Sequence, residues 1–211
     1  MNFDEYKKIS FAEDPELYKE YKALGDSFTA DGYVFHAVTE RPMFMGQTII
    51  FNEENHSGVY NRVMTCKRML DGEKIDGDLA EYIKSNLDKC TKITYRELAL
   101  EKVRREEYPH YPSRMACLYT SRDFEEAEKW ANYFKKLGRE VFSIVKLRID
   151  GNIFDGDACN CFDGTEIESE NIEKARRYWK MDMLNEKPII EILVSGNIFV
   201  EEIIADYKKD T

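Results

Sequence analysis

Three histidines occur in the 211-residue chain, and only His36 sits among apolar neighbours. It falls inside Tyr33-Val34-Phe35-His36-Ala37-Val38, where alternation puts Val34 and His36 on one face of a strand and Tyr33, Phe35 and Ala37 on the other. The commoner fate of such a histidine is a ring bonded to a backbone carbonyl at the edge of a core. The functional alternative is a ring that meets a ligand. His56 lies in a polar loop and His110 between prolines, so both are expected to be solvated. A second group, Tyr119-Thr120-Ser121, ends an apolar run just ahead of an amphipathic helix, where small hydroxyls can bond a ligand or cap that helix. A third is acidic: Asp155, Asp157 and Asp163, interleaved with Gly156, Asn160, Phe162 and Gly164. Its D-x-D spacing suggests calcium, but the bidentate glutamate that closes an EF-hand loop is missing, and a solvated turn is the usual fate.

The elements that must position these residues follow from periodicity. Gly32 to Thr39 and Gly46 to Phe51 are β-rich and read as strands. Asn52 to Gly58 reads as a loop. Helices are expected over Asp78–Lys89 and Thr94–Glu107, the second opening on the capping box Thr94-x-x-Glu97 and broken by Tyr108 to Pro112. Arg114 to Thr120 reads as a buried strand. Asp123 caps a helix whose apolar stripe is Ala127, Trp130, Ala131, Phe134 and Leu137, with Gly138 ending it. Val141 to Ile149 is a strand, Asp150 to Asp157 turn-rich, and Glu168 to Met181 helical. Ile189–Val194 and Ile198–Ile204 read as a hairpin across Ser195-Gly196-Asn197. Helical spacing also runs through the first ~30 residues, with Pro15 at a helix opening. Strands and helices mix without a βαβ rhythm, so the fold class is α+β rather than a doubly wound sheet.

Composition sets the outer bounds. Lys plus Arg is 31 against 41 for Asp plus Glu, a net charge of −10 that disfavours bulk nucleic-acid binding. Lys67-Arg68 and Arg104-Arg105 are left as a possible local basic track. No run approaches the ~20 apolar residues of a membrane span. The charged N-terminus has no apolar signal core, so a cytoplasmic location is expected. Five cysteines in such a compartment are expected to be reduced. Cys159 and Cys161 form a C-x-C with no second pair and no nearby histidine, so they read as small buried hydrophobes and no metal site is expected. Glycine-rich phosphate loops, H-E-x-x-H, G-x-S-x-G and C-x-x-C are all missing.

The order of His on an early strand, Tyr on a middle strand before a helix, and an acid after a later strand resembles the His-Tyr-acid branch of the ADP-ribosyltransferase superfamily. The matching pieces are Val34 to Thr39 with Met45-Gly46-Gln47, then Ala116 to Ser121 leading into Phe124 to Phe134, then Ser143 to Lys146 and Asn152 to Asp157. In motif style the chain looks closest to the small rifamycin-modifying members. Over its whole length it resembles an uncharacterised bacterial family assigned to the same superfamily, with PSRMACLY- and NCFDGT-like stretches. His36-Ala37-Val38-Thr39 stands where the drug-modifying relatives carry His-Gly-Thr, and the segment between His36 and Tyr119 is longer than theirs.

The resemblance implies an ADP-ribosyltransferase-like split, mostly antiparallel sheet with flanking helices, arranged as an N-terminal helical segment at 1–32, a transferase-like domain at 33–204 with a helical insertion at about 66–111, and a tail at 205–211. It also implies NAD as substrate, an unidentified acceptor, and ADP-ribosyl transfer or NAD glycohydrolysis. His36 would orient the dinucleotide, with Ala37 beside it. Tyr119 would stack on the nicotinamide, gaining roughly 0.5–2 kcal/mol. Asp157 or Asp155 would support positive charge on the ribose, and Thr120 and Ser121 would assist binding. Trp130, Trp179 and Phe134 are assigned to the core. Two rivals stay open: a non-catalytic nucleotide- or protein-binding module on the same fold, and a cysteine hydrolase built from Cys117 and His110.

Overall fold

A computed structural model describes residues 32–180 and 190–207. The helices expected in the first 30 residues lie outside that range. In chain order the elements are β1 (Tyr33–Val38), β2 (Thr48–Phe51), α1 (Gly58–Leu70), α2 (Asp78–Ser85), α3 (Leu87–Glu107), β3 (Leu118–Thr120), α4 (Phe124–Lys136), β4 (Ser143–Asp150), β5 (Ile153–Asp157), a 3-10 turn (Ala158–Asn160), α5 (Glu168–Lys180), β6 (Ile190–Val194) and β7 (Gly196–Asp206). The fold is α+β with antiparallel sheets. The chain divides into two compact units, one of sheets with α4 and one of helices, the boundaries falling after residues 50, 117, 155 and 189.

The sheet unit holds a four-stranded sheet in the order β1-β4-β7-β2 and a three-stranded sheet in the order β3-β6-β5. In the first, β1 pairs antiparallel with β4, setting Phe35 opposite Lys146 and His36 opposite Val145. Alternation then works as expected: Ala37 and Phe35 face α4, packing with Ala127, Ala131, Ile144, Phe124 and Phe134. The alanines on α4 let the helix lie close to the sheet. Asp123 caps that helix, its carboxylate accepting the Glu126 N–H at 2.8 Å, and Gly138 leaves it at φ +74°. Leu137 departs from the expected stripe. It is the C-cap and 59% exposed, because the helix closes one residue earlier.

Strand pairing corrects the expected hairpin. β6 and β7 are consecutive but lie in different sheets, and so do β4 and β5. The Asp150–Asp157 stretch is therefore a sheet-to-sheet crossing followed by a strand. Both crossings meet at one point. A Cβ on Gly151 would stand 2.0 Å from the Ser195 carbonyl oxygen, and one on Gly196 would stand 2.6 Å from that of Asp150. Periodicity reports strands but not partners, so nothing in Ser195-Gly196-Asn197 distinguishes a hairpin turn from a crossing.

In the helical unit the chain differs from expectation in three places. α1 was not anticipated: it opens on glycine with no side-chain cap and no acid in its first turn, and buries only Val63 and Cys66. α3 starts at Leu87, so Thr94 and Glu97 are not a cap but buried mid-helix residues, 1% and 2% exposed. Glu97 is held there by Arg96 and Arg114. The run before β3 is buried as expected, yet only Leu118 to Thr120 joins a ladder. Trp179, fully buried on α5, donates its indole N–H to the Leu100 carbonyl on α3 at 2.8 Å. No helix of the described residues is long and apolar enough to cross a membrane.

Candidate functional site

The two sheets of the sheet unit touch through one backbone bridge. Phe35 N donates to Ser121 O at 2.9 Å and Ser121 N to Phe35 O at 2.8 Å. This junction brings β1 to the end of β3 and so sets His36 beside Tyr119. The His36 ring closes the joint, its Nδ1 lying 2.8 Å from the Tyr119 carbonyl oxygen. A carbonyl only accepts, so Nδ1 carries the proton and Nε2 presents a lone pair. The ring's pKa is lowered to about 4, chiefly by burial, with the bond to Tyr119 opposing that shift and the Arg139 charge adding to it. His36 is therefore neutral near pH 7, and Nε2 is an acceptor for a hydroxyl donor.

The geometry of the commoner histidine, a ring bonded to a carbonyl, is what the structure contains. The carbonyl it reaches, however, belongs to the tyrosine that the resemblance singles out. The side chains of Tyr119 and its cross-strand partner Leu193 point to one face of the three-stranded sheet. Glu191 lies two residues before Leu193 on β6, hence on that same face, and is 9% exposed. Continuing the β3–β6 register by one residue sets Ser121 opposite Glu191. Ser121 is itself buried. Tyr119, Ser121 and Glu191 thus share one face of the three-stranded sheet, the His36 ring is bonded to the β3 backbone, and sequence reasoning missed Glu191. The available signal was a lone carboxylate inside the apolar run Ile189–Val194, where a charge costs most.

Other expected residues sit differently. Thr120 faces the opposite side and its hydroxyl donates to the Ile192 carbonyl at 3.0 Å. Ala37 has its side chain under α4. Asp157 is wholly buried, and its carboxylate accepts the Cys159 N–H at 2.9 Å, capping the 3-10 turn. Asp155, on β5, has a buried Oδ2 without a hydrogen-bond partner. The acidic stretch is thus a strand and a capped turn; only Asp163 of the three is exposed. The C-x-C reading is also corrected, since Cys159 is exposed and Cys161 half-buried, whereas Cys66, Cys90 and Cys117 are buried. Cys117 places its Sγ 3.6 Å from the Arg114 carbonyl oxygen in a buried turn, while His110 is exposed, which gives a Cys117–His110 hydrolase no support. The supposed basic track is neutralised locally: Lys67 pairs with Asp71, Arg68 with Glu73, and both Arg104 and Arg105 with Glu101.

Residues 34–206 match the family described as Protein of unknown function (DUF2441). The chain belongs to the DUF2441 family. No curated protein matches it. The family match begins at Val34 and ends at Asp206, so this DUF2441 domain takes in both sheets, the histidine–tyrosine junction and the helical unit.

Burial raises the Asp155 carboxyl to about 7 from its usual 3.8. The folded state then holds a proton that the unfolded chain releases between about pH 4 and 7, so Asp155 destabilises the fold increasingly as pH rises through that window. Asp155→Asn is expected to melt higher than wild type at pH 8, by about 1–3 kcal/mol after relaxation and water entry. The difference should shrink to nothing near pH 4. Equal midpoints at pH 8 would show that Asp155 is not held in a dry site.

Proposed function

We propose that this DUF2441 protein cleaves the nicotinamide–ribose bond of NAD and transfers ADP-ribose to an acceptor. The observation that carries the reading is the His36–Tyr119 bond at the bridge between two antiparallel sheets, which brings together the two residues the resemblance names. It supports an ADP-ribosyltransferase-like split for the sheet unit. In this reading the neutral His36 accepts a ribose hydroxyl at Nε2, which locks the sugar. Tyr119 stacks on the cationic pyridinium. The face shared by Tyr119 and Glu191 gives the third role to Glu191.

The chemistry asks for this set. Loss of nicotinamide leaves positive charge on the anomeric carbon and its ring oxygen, and a carboxylate bound to the ribose hydroxyls is worth more there than in the ground state. Burial of Glu191 strengthens that interaction by excluding water. No step in this scheme draws on a metal, and among the described residues no group of three or more His, Cys, Asp or Glu side chains clusters as a metal site would.

The test is nicotinamide release from NAD by wild type, His36→Ala, Tyr119→Ala and Glu191→Gln, each checked for folding by circular dichroism. Glu191→Gln is expected to lose about 100- to 1,000-fold. Tyr119→Ala should lose about 2- to 30-fold, the stacking contribution. Wild-type NAD binding, seen as a raised melting temperature, without any release would favour the non-catalytic module instead. No binding and no release would overturn the proposal.

A further inference from the structure

On α3, Tyr95, Leu98, Ala99 and Lys102 are spaced i, i+3, i+4 and i+7, which sets them along one face of the helix. With Thr165, Asn171 and Ile172 they line an open cleft of about 270 Å³. Every lining residue belongs to the helical unit, so the cleft is no part of the histidine–tyrosine junction and does not depend on the transferase reading.

Three ties hold its walls. Gly164 lets residues 162–167 lie against α3: its N–H donates to the Lys92 carbonyl at 3.2 Å, and a Cβ there would stand 2.4 Å from that oxygen. The buried Asn171 amide accepts the Thr165 N–H at 2.9 Å and donates to the Thr165 carbonyl at 2.7 Å. Lys102 Nζ meets the Glu168 carboxylate at 2.7 Å, joining α3 to the first residue of α5. The cleft is thus formed before anything enters it, and little ordering opposes binding.

Its size and lining define a ligand class. A cavity of roughly 150 Å³ holds benzene, and drug-sized ligands fill about 300–1,000 Å³, so this cleft takes a single ring on a short chain. Leu98, Ala99 and Ile172 supply apolar contact. The charge on Lys102 is met by Glu168. Glu166, the other glutamate of the lining, has no ion pair among the described residues, so the lining is net negative. An unmatched carboxylate and the Tyr95 ring both favour a cation over an anion.

We propose that this cleft binds a small monocyclic amine, its ring against Leu98, Ala99 and Ile172 and its ammonium group at Glu166. Phenethylamine, phenethyl alcohol and phenylacetate are the probes, because they keep the ring and change the charge of the polar end. Binding is measured by ligand-observed NMR on the full chain at millimolar concentration. Phenethylamine is expected to bind one-to-one and most tightly. Glu166→Gln should weaken it about 2- to 5-fold while leaving phenethyl alcohol unchanged, a difference that loss of structure would not produce. Ala99→Leu and Ile172→Phe, which fill the space, should abolish binding of every probe, with circular dichroism confirming that each is folded. No phenethylamine binding to wild type would overturn the proposal, as would phenylacetate binding equally well or amine binding that survives either folded space-filling variant. Should neither of those variants fold, the Glu166→Gln comparison decides: an unchanged amine affinity overturns the proposal and a selective loss upholds it.

Discussion

Gly151→Ala is expected to cost the sheet unit about 3–5 kcal/mol, among the largest effects of any single methyl added to this chain. The methyl would have to occupy a point 2.0 Å from the Ser195 carbonyl oxygen and 2.9 Å from its carbonyl carbon. Those atoms are backbone, so no rotamer change relieves the overlap. Relief needs one of the two crossings to move, and the amide N–H of Ser195 is tied to the Asn152 carbonyl at 3.0 Å. Gly138→Ala is the control. Gly138 has φ +74° with open space around it, so an alanine there carries only the left-handed backbone penalty of about 1–2 kcal/mol. Urea midpoints followed by circular dichroism would separate the two. Equal midpoints for the two variants would mean that the crossings are not in contact as described.

Glu97→Leu should be nearly as damaging in the helical unit. Glu97 is 2% exposed and meets Arg114 Nε at 3.1 Å and Arg96 Nε at 2.9 Å. Arg114 is itself buried, bonds the Tyr178 hydroxyl, and lies 4.9 Å from the centre of the Tyr178 ring. Removing the carboxylate strands a guanidinium that cannot shed its proton, at a cost of about 3–5 kcal/mol. Replacing both partners by apolar residues removes the stranded charge as well. The pair Glu97→Leu with Arg114→Met is therefore expected to recover most of the loss, measured as a double-mutant cycle on unfolding free energy. A double variant no better than Glu97→Leu alone would show that the cost lies in packing rather than in charge.

How far the chain could be read in advance depended on whether a feature was local. The β1 alternation, the Asp123 cap and the Gly138 stop each concern residues within one turn or one strand of each other, and each appears as expected. Glu97 was misread for the converse reason. Its Thr94-x-x-Glu97 spacing satisfies a cap locally, but Arg114 and Tyr178, far along the chain, hold it inside the helix. Strand partners are equally non-local, which is why β6 and β7 looked like a hairpin. The candidate site was half legible. His36 and Tyr119 stood out because polar groups interrupt apolar runs there, and the bond between them spans 83 residues that no pattern could bridge. Glu191 interrupts such a run too, between Ile190 and Ile192, and it was passed over although the same signal singled out His36. Asp155 could not be separated from Asp157, because the cap that engages one and the empty oxygen on the other exist only in three dimensions.

The interleaving of the two units has a consequence for synthesis. β1 cannot pair until β4 has left the ribosome, and β4 gains its second neighbour only with β7, the last strand described. The helical unit waits as well, because Trp179 on α5 is the side chain that locks onto α3. A domain made of successive segments can fold as it emerges, N-terminal part first. Here the apolar strand bearing His36 must remain unpaired while most of the polypeptide is made. Chaperone dependence during translation, and truncation products that aggregate rather than fold, are the expected signature of such a chain.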